Sequence, residues 1–67
     1  ETQMKINGVQ KECPANFTVA AMLNREGFAR EGVAVELNME IVAKDAYDTT
    51  VLKEEDVVEV VSFMGGG

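Results

Sequence analysis

The dipeptide Asn7-Gly8 constrains the fold of this chain more than any other part of its sequence. It lies between two short segments, residues 4–6 and 9–13, in which apolar and polar side chains alternate. Asn-Gly in this setting is a strong hairpin signal, because a type I′ turn requires positive φ at both central residues. Pro14 ends the second strand, since proline has no N–H to donate to a sheet. The chain is therefore predicted to begin with a β-hairpin.

A short helix is predicted to follow the hairpin. Thr18 is a favourable N-cap residue, and the apolar residues Val19, Met22 and Leu23 recur at the i, i+3, i+4 spacing of one helix face. Gly27 stands where the residue after a helix adopts the left-handed conformation. The predicted helix has about eight residues and covers little more than one face of a sheet.

Strand-like alternation returns after the helix. Residues 33–37 alternate valine and leucine with smaller or polar side chains, which predicts a strand. A turn over residues 38–40 and a short partner strand at 41–42 are expected to follow it.

The next segment has no clear period. We predict that residues 43–52 form a loop with a turn of helix near 45–47, anchored by Tyr47, Val51 and Leu52. Residues 54–56 are predicted to form a tight turn that leads into the last strand.

The last strand-like segment, residues 57–64, has two different faces. Alternate residues point to opposite sides of a strand, which gives one face with Val58 and Val60 and another with Val57, Glu59, Val61 and Phe63. Glu59 indicates that the second face meets water. Val61 and Phe63 would then form an exposed apolar patch, a typical docking surface for a partner. A bulge or a loop that buries both residues is an equally good interpretation of the sequence.

The order of these elements predicts an α+β fold in which one helix covers one face of a mixed sheet. The length of 67 residues indicates a single domain. A chain of this size buries only about 60% of its unfolded surface. It therefore has little room for an enclosed catalytic pocket in addition to a core.

The charge of the chain argues against some classes of partner. Twelve acidic and six basic residues give a net charge of −6, whereas nucleic-acid binding depends on lysine and arginine that neutralise phosphates. The charge suits a small soluble protein that is attracted to basic surfaces, although solubility alone explains it equally well. No segment approaches the ~18 consecutive apolar residues of a membrane span.

The chain has no histidine and one cysteine, Cys13. A disulfide within the chain, a Cys-His catalytic pair and a His/Cys zinc site are thereby excluded, and no catalytic or metal-binding residues are predicted. With no visible secretory signal, this composition fits a reducing cytoplasm. Cys13 is expected to be a small buried hydrophobe, with a reactive thiol as the less favoured alternative.

The sequence ends in Gly65, Gly66 and Gly67. We expect these residues to form a flexible filament, because glycine lets the backbone approach another surface closely. Its tip would be a free carboxylate, which we interpret as the working group of the protein. The folded domain is predicted to cover residues 4–64. Residues 1–3, which precede Met4, are interpreted as a remnant of expression.

Several short motifs occur in a distinctive order and spacing. They are Met4-Lys5-Ile6-Asn7-Gly8, Thr18-Val19, Met22-Leu23, Val33-Ala34-Val35, Leu37-Asn38, Ile41-Val42, Leu52, Asp56, Val58-Glu59-Val60-Val61 and the terminal glycines. With these motifs the chain resembles the ThiS family, the ubiquitin-like sulfur carriers of thiamine biosynthesis, over residues 4–67. The resemblance implies a ubiquitin-like β-grasp fold with a mixed sheet of four to five strands and one main helix on one face. The first and last strands would lie side by side in the middle of that sheet.

Two positions depart from the family pattern. The family usually has Gly-Asp before the last strand, whereas this chain has Glu55-Asp56, and a non-glycine residue at positive φ is strained. Tyr47 stands where the family often has tryptophan, which keeps a large aromatic anchor. Both changes concern stability more than function.

The resemblance also implies a carrier cycle at Gly67. An E1-like adenylating enzyme would thread Gly65 and Gly66 toward MgATP, and the Gly67 carboxylate would become an acyl-adenylate. A sulfurtransferase or cysteine desulfurase system would supply persulfide sulfur, and thiazole synthase would consume the resulting thiocarboxylate. The chain itself would bind no cofactor and would act as a cosubstrate rather than an enzyme. The expected docking residues are Val61, Phe63 and Met64.

Three alternatives stay open at this point. A sister carrier would serve molybdopterin or cysteine synthesis, although carriers of the molybdopterin type tend to be longer and to have prolines before the glycines. A protein modifier would instead link Gly67 to lysines of target proteins. An inert β-grasp interaction module would make no use of its glycines.

Overall fold

A computed structural model of the chain describes residues 2–63. The strands are β1 (Gln3–Ile6), β2 (Val9–Glu12), β3 (Phe17–Thr18), β4 (Val33–Leu37), β5 (Glu40–Ile41), β6 (Val51–Leu52) and β7 (Val57–Ser62). The helix α1 covers Val19–Glu26, and two short 3-10 turns cover Arg30–Gly32 and Lys44–Ala46. Five strands form one sheet in the order β2-β1-β7-β4-β5, and β3 pairs with β6 in a separate two-stranded sheet.

The N-terminal hairpin is confirmed. Asn7 and Gly8 have φ values of 50° and 81°, as a type I′ turn requires. β1 and β2 are antiparallel, with Ile6 opposite Val9. β2 ends one residue earlier than predicted, and β1 begins one residue before the predicted start of the domain.

The middle of the sheet is formed by the two ends of the chain. β7 pairs in parallel with β1 and antiparallel with β4. The β-grasp arrangement expected from the family resemblance is therefore confirmed, with five strands in the main sheet and α1 as its one long helix.

The ends of α1 are defined by local hydrogen bonds. The Thr18 hydroxyl oxygen accepts a hydrogen bond from the Ala21 N–H at 3.1 Å, which confirms the predicted N-cap. Gly27 has a φ of 82°, and the Phe28 N–H donates to the Leu23 carbonyl at 2.9 Å. This is the Schellman pattern, which satisfies carbonyls that the last helical turn leaves free.

The core lies between α1 and the inner face of the sheet. Its members are almost fully buried apolar residues from every layer of the fold: Met4, Ile6, Cys13, Phe17, Val19, Met22, Leu23, Val33, Val35, Tyr47, Leu52, Val58 and Val60. The predicted buried position of Cys13 is confirmed.

The segment from residue 43 to 52 corrects one prediction. A 3-10 turn at Lys44–Ala46 confirms the predicted helical turn, but Val51–Leu52 is the strand β6 rather than part of a loop. Tyr47 and Leu52 are buried anchors as predicted, whereas Val51 is half exposed because its neighbour on the strand points inward. The short partner strand β5 also begins one residue earlier than expected.

The turn before β7 has a strained backbone. Glu55 has a φ of 71°, so this glutamate occupies the left-handed region in which the family usually has glycine. Asp56 compensates with its buried carboxylate, which accepts hydrogen bonds from the Lys53 N–H at 2.8 Å and the Asn38 side-chain amide at 3.0 Å. The turn is therefore held by side-chain hydrogen bonds in spite of its unfavourable φ.

We predict that Glu55→Gly raises the free energy of unfolding by about 0.5–1 kcal/mol. Glycine relieves the left-handed strain, and this gain exceeds the opposing effect of a more flexible unfolded chain. Urea denaturation measures this change. Gly27→Ala is the matched control: its φ is also positive and an added Cβ meets no atom within 4 Å, so it should lose about 1 kcal/mol. A destabilised Glu55→Gly variant would show that the Glu55 side chain itself supports the turn.

Candidate functional site

The end of β7 is held in place by the body of the protein. Val58 and Val60 are buried on the inner face of the sheet, and β1 and β4 flank the strand on both sides. Of the predicted site residues, Val61 and Phe63 are described by the structure. Met64, Gly65, Gly66 and Gly67 lie outside the described residues.

Asn7 extends the pairing between β1 and β7 by one step. Its side-chain oxygen accepts a hydrogen bond from the Val60 N–H at 2.8 Å, and its side-chain amide donates to the Val60 carbonyl at 3.3 Å. The amide group thus replaces the backbone of a further β1 residue. The residue that forms the hairpin turn also fixes the last strand close to its end.

The structure decides between the two interpretations of Val61 and Phe63. Their side chains are 56% and 60% exposed, so no bulge or loop of residues 2–63 buries them. Ile41 is exposed as well and lies opposite Glu36 on the same outer face of the sheet. We refer to Ile41, Val61 and Phe63 as the outer patch.

Two carboxylates lie on the same face of the sheet as Ile41 and Val61. The register of β4 and β7 places Glu36 directly opposite Glu59, and like charges in directly opposite positions destabilise a sheet. Neither residue forms an ion pair with a cation among residues 2–63. The outer face of β7 therefore combines exposed apolar side chains with negative charge, and neither property serves the stability of the isolated protein.

Ile41 is the part of the outer patch that sequence reasoning missed. Its segment was correctly predicted as a strand partner, but a strand of two residues has no alternation that reveals its outward face. The pairing with Glu36, which a tertiary structure supplies, was the missing information.

Phe63, the last residue that the structure describes, is attached to a neighbouring turn. Its N–H donates to the Gly32 carbonyl at 3.0 Å, one step beyond the last pair of β4 and β7. Its ring borders a shallow groove of about 250 Å³, which is lined by residues of β4 and of the segment 41–47. We refer to Phe63 as the root of the tail.

The polar surroundings of the root are ordered by Arg30. Its guanidinium forms an ion pair with Asp48 at 2.8 Å and lies 5.4 Å from the centre of the Tyr47 ring. The hydrogen bond from Arg30 holds the pKa of the Asp48 carboxyl below its usual value. Because both groups are exposed to solvent, this ion pair contributes little to stability.

Cys13 is buried and lacks the environment of an activated thiol. Burial, together with the nearby Asp56 carboxylate, raises the pKa of the Cys13 thiol, which therefore stays protonated and unreactive at neutral pH. Residues 2–63 contain no cluster of acidic or cysteine side chains that could hold a metal ion. Within the same range, no helix has the length and apolar character needed to cross a membrane.

Comparison with known proteins decides the family. The sequence model that represents the ThiS family matches residues 4–67 of this chain. The chain belongs to the ThiS family. It is 35% identical to the crystallised thiamine biosynthesis protein ThiS from Geobacter metallireducens, with a TM-score of 0.79 over 98% of this chain and 100% of that one.

Two curated relatives of this ThiS-family chain are informative. The sulfur carrier protein ThiS of Bacillus subtilis is 49% identical over 35 residues, which are 52% of this chain and 53% of that protein. A thiazole synthase of Magnetococcus marinus is 42% identical over 65 residues, or 97% of this chain. The chain spans only about one fifth (20%) of the length of that thiazole synthase.

The chain thus shares its family with the thiamine biosynthesis protein ThiS of Geobacter metallireducens and the sulfur carrier protein ThiS of Bacillus subtilis. The ubiquitin-like β-grasp fold agrees with that of the Geobacter protein. The functions of Val61 and Phe63 in docking, and of the glycines in chemistry, remain predictions.

We predict that Val61→Gln changes the free energy of unfolding by less than about 0.5 kcal/mol, because its side chain already meets solvent. Val60→Gln is the matched control on the inner face, where 7% of the residue is exposed, and it should lose about 3 kcal/mol. Thermal and urea denaturation of both variants measure the difference. Comparable losses would show that the outer patch is structural.

Proposed function

We propose that this chain is a sulfur carrier for thiazole formation in thiamine biosynthesis, with the Gly67 carboxylate as the group that carries sulfur. The observation that supports it most is the placement of β7. In this ThiS-family chain, the last strand lies in the centre of the sheet. An exposed apolar patch on it comes shortly before the terminal glycines in the sequence. The proposed docking face therefore comes just before Met64 and the three glycines in the sequence.

The first step is activation of the carboxylate, which is a poor electrophile. An E1-like adenylating enzyme binds the outer patch and threads Gly65 and Gly66 toward MgATP. A Gly67 carboxylate oxygen attacks the α-phosphorus, and pyrophosphate leaves. The resulting acyl-adenylate has AMP as a good leaving group.

The second step transfers sulfur. The terminal sulfur of a persulfide, supplied by a sulfurtransferase or cysteine desulfurase system, attacks the Gly67 carbonyl and displaces AMP. A thiol then cleaves the S–S bond, which forms a disulfide with the donor and releases the thiocarboxylate. Thiazole synthase takes up this sulfur and returns the carboxylate.

The chain itself supplies no acid, base, metal or cofactor in this scheme, and MgATP belongs to the adenylating enzyme. The protonated, buried Cys13 supports a single sulfur-carrying position at the terminus. We place the cycle in the cytoplasm, where reduced thiols and ATP are available.

Incubation with MgATP, a persulfide donor and an adenylating enzyme of the thiamine pathway tests the proposal by intact mass. The expected product gains about 16 Da, the difference between sulfur and oxygen. Removal of Gly66 and Gly67 should abolish this gain because the shortened chain no longer reaches the α-phosphate. Addition of one residue after Gly67 should abolish it as well, because the carboxylate is displaced from that position. Both variants should keep the melting temperature of the parent chain.

Two controls separate the competing explanations. A persulfide on Cys13 would add about 32 Da and would disappear in Cys13→Ala, whereas a thiocarboxylate persists in that variant. Adducts of the whole chain on other proteins would indicate a protein modifier. An extended chain that still acquires sulfur would refute the role of Gly67.

The outer patch has its own test within the same assay. Val61→Gln should raise KM for the carrier about tenfold, because loss of a buried valine contact costs about 1.5 kcal/mol. The value of kcat should stay unchanged, since the tail is intact. An unchanged KM would place the docking surface elsewhere.

A further inference from the structure

Lys44 occupies an unusual position for a lysine on an acidic protein. Its ammonium group forms no ion pair with any carboxylate of residues 2–63. Instead, Nζ donates hydrogen bonds to two backbone carbonyls, that of Arg30 at 3.0 Å and that of Val33 at 2.9 Å. Hydrogen bonds from a charged donor are stronger than those between neutral groups, so Lys44 joins two segments of the backbone.

The two carbonyls bound by Lys44 lie on either side of Gly32. The Gly32 carbonyl is the acceptor for the Phe63 N–H at 3.0 Å, the last backbone hydrogen bond of the C-terminal strand among residues 2–63. Lys44 therefore fixes the turn that anchors the root of the tail. The same ammonium group lies 5.8 Å from the centre of the Phe63 ring, within the range of a cation–π interaction.

The link between the two segments is reciprocal. The Arg30 guanidinium donates to the Lys44 carbonyl at 3.3 Å, and the Gly32 N–H donates to the Ala29 carbonyl at 3.0 Å. The 3-10 turn at Arg30–Gly32 is thus held both by its own hydrogen bond and by Lys44. No other side chain among residues 2–63 bonds to the carbonyls on both sides of Gly32.

We infer that Lys44 is a positioning residue, which sets the place and direction from which residues 64–67 leave the body of the protein. This inference rests on the proposed function, because only a tail that enters a partner needs a fixed starting point. Four residues extend over at most about 14 Å. A displaced root would therefore move the Gly67 carboxylate away from the α-phosphate, and a small misplacement of a reacting group lowers its rate steeply.

Lys44→Met tests the inference, because methionine keeps an unbranched stem and removes the donors and the charge. The backbone order parameter of Phe63, from ¹⁵N relaxation, should fall from about 0.85 to below about 0.6, while that of Val60 stays high. In the adenylation assay, kcat should fall about tenfold. Val61→Gln differs, because it is expected to raise KM and to keep kcat.

Two variants serve as controls. Lys44→Arg retains charged donors and should restore both the order parameter and kcat. Lys53→Met removes the same charge from a lysine with no side-chain hydrogen bond or ion pair among residues 2–63, and it should behave like the parent chain. Melting temperatures of all variants establish that the fold is retained.

Two results would overturn the inference. One is an unchanged Phe63 order parameter in Lys44→Met, and the other is a mobile Phe63 with unchanged kcat. If the parent chain is never adenylated, the proposed function fails instead. The relaxation measurement then still decides whether Lys44 fixes the root.

Discussion

The parallel pairing of β1 with β7 is the interaction on which the rest of this structure depends. Lys5 donates its N–H to the Asp56 carbonyl and Asn7 donates its N–H to the Val58 carbonyl, both at 2.9 Å, which joins the two ends of the chain. The Asn7 side chain then continues the ladder to Val60. Because β7 is flanked on both sides, its position is set by the whole sheet. Whatever follows β7 begins from a strand that is paired on both sides.

This arrangement lets a very small domain separate stability from interaction. The inner face of β7 contributes Val58 and Val60 to the core, whereas the outer face exposes Val61. Glu36 and Glu59 stand opposite each other on that outer face, where like charges reduce stability. A protein with little room for an enclosed pocket thus uses one side of the strand for its core. The other side is exposed, and it is the side that we propose for docking.

The parts of the fold that the sequence predicts are those with a local cause. Asn7-Gly8 requires the hairpin turn, Thr18 caps the helix, and Gly27 adopts the left-handed conformation after it. β3 and β6 were missed because two-residue strands have no measurable alternation, and their pairing joins residues far apart in the chain. The central position of β7 came from the family resemblance, since pattern alone does not order strands.

The candidate site also combines features with a local cause, which the sequence predicts, and features that depend on the tertiary structure. Alternation along β7 predicted the outward direction of Val61 correctly, but the exposure of Val61 and Phe63 depended on whether another segment covered them. Lys44 carried no signal in the sequence, because its partners are carbonyls of residues 11 and 14 positions away. Backbone acceptors are present at every residue, so only the fold shows which of them a lysine reaches.

The proposed carrier cycle needs two opposite properties at one end of the chain. A segment without side chains enters a narrow passage readily, but its short reach makes the chemistry sensitive to where it starts. Rigidity before the glycines is therefore as necessary as the absence of side chains within them. The hydrogen bond from Phe63 to Gly32 and those from Lys44 to the neighbouring carbonyls lie where the β-ladder itself ends. They are the contacts that we infer to supply this rigidity.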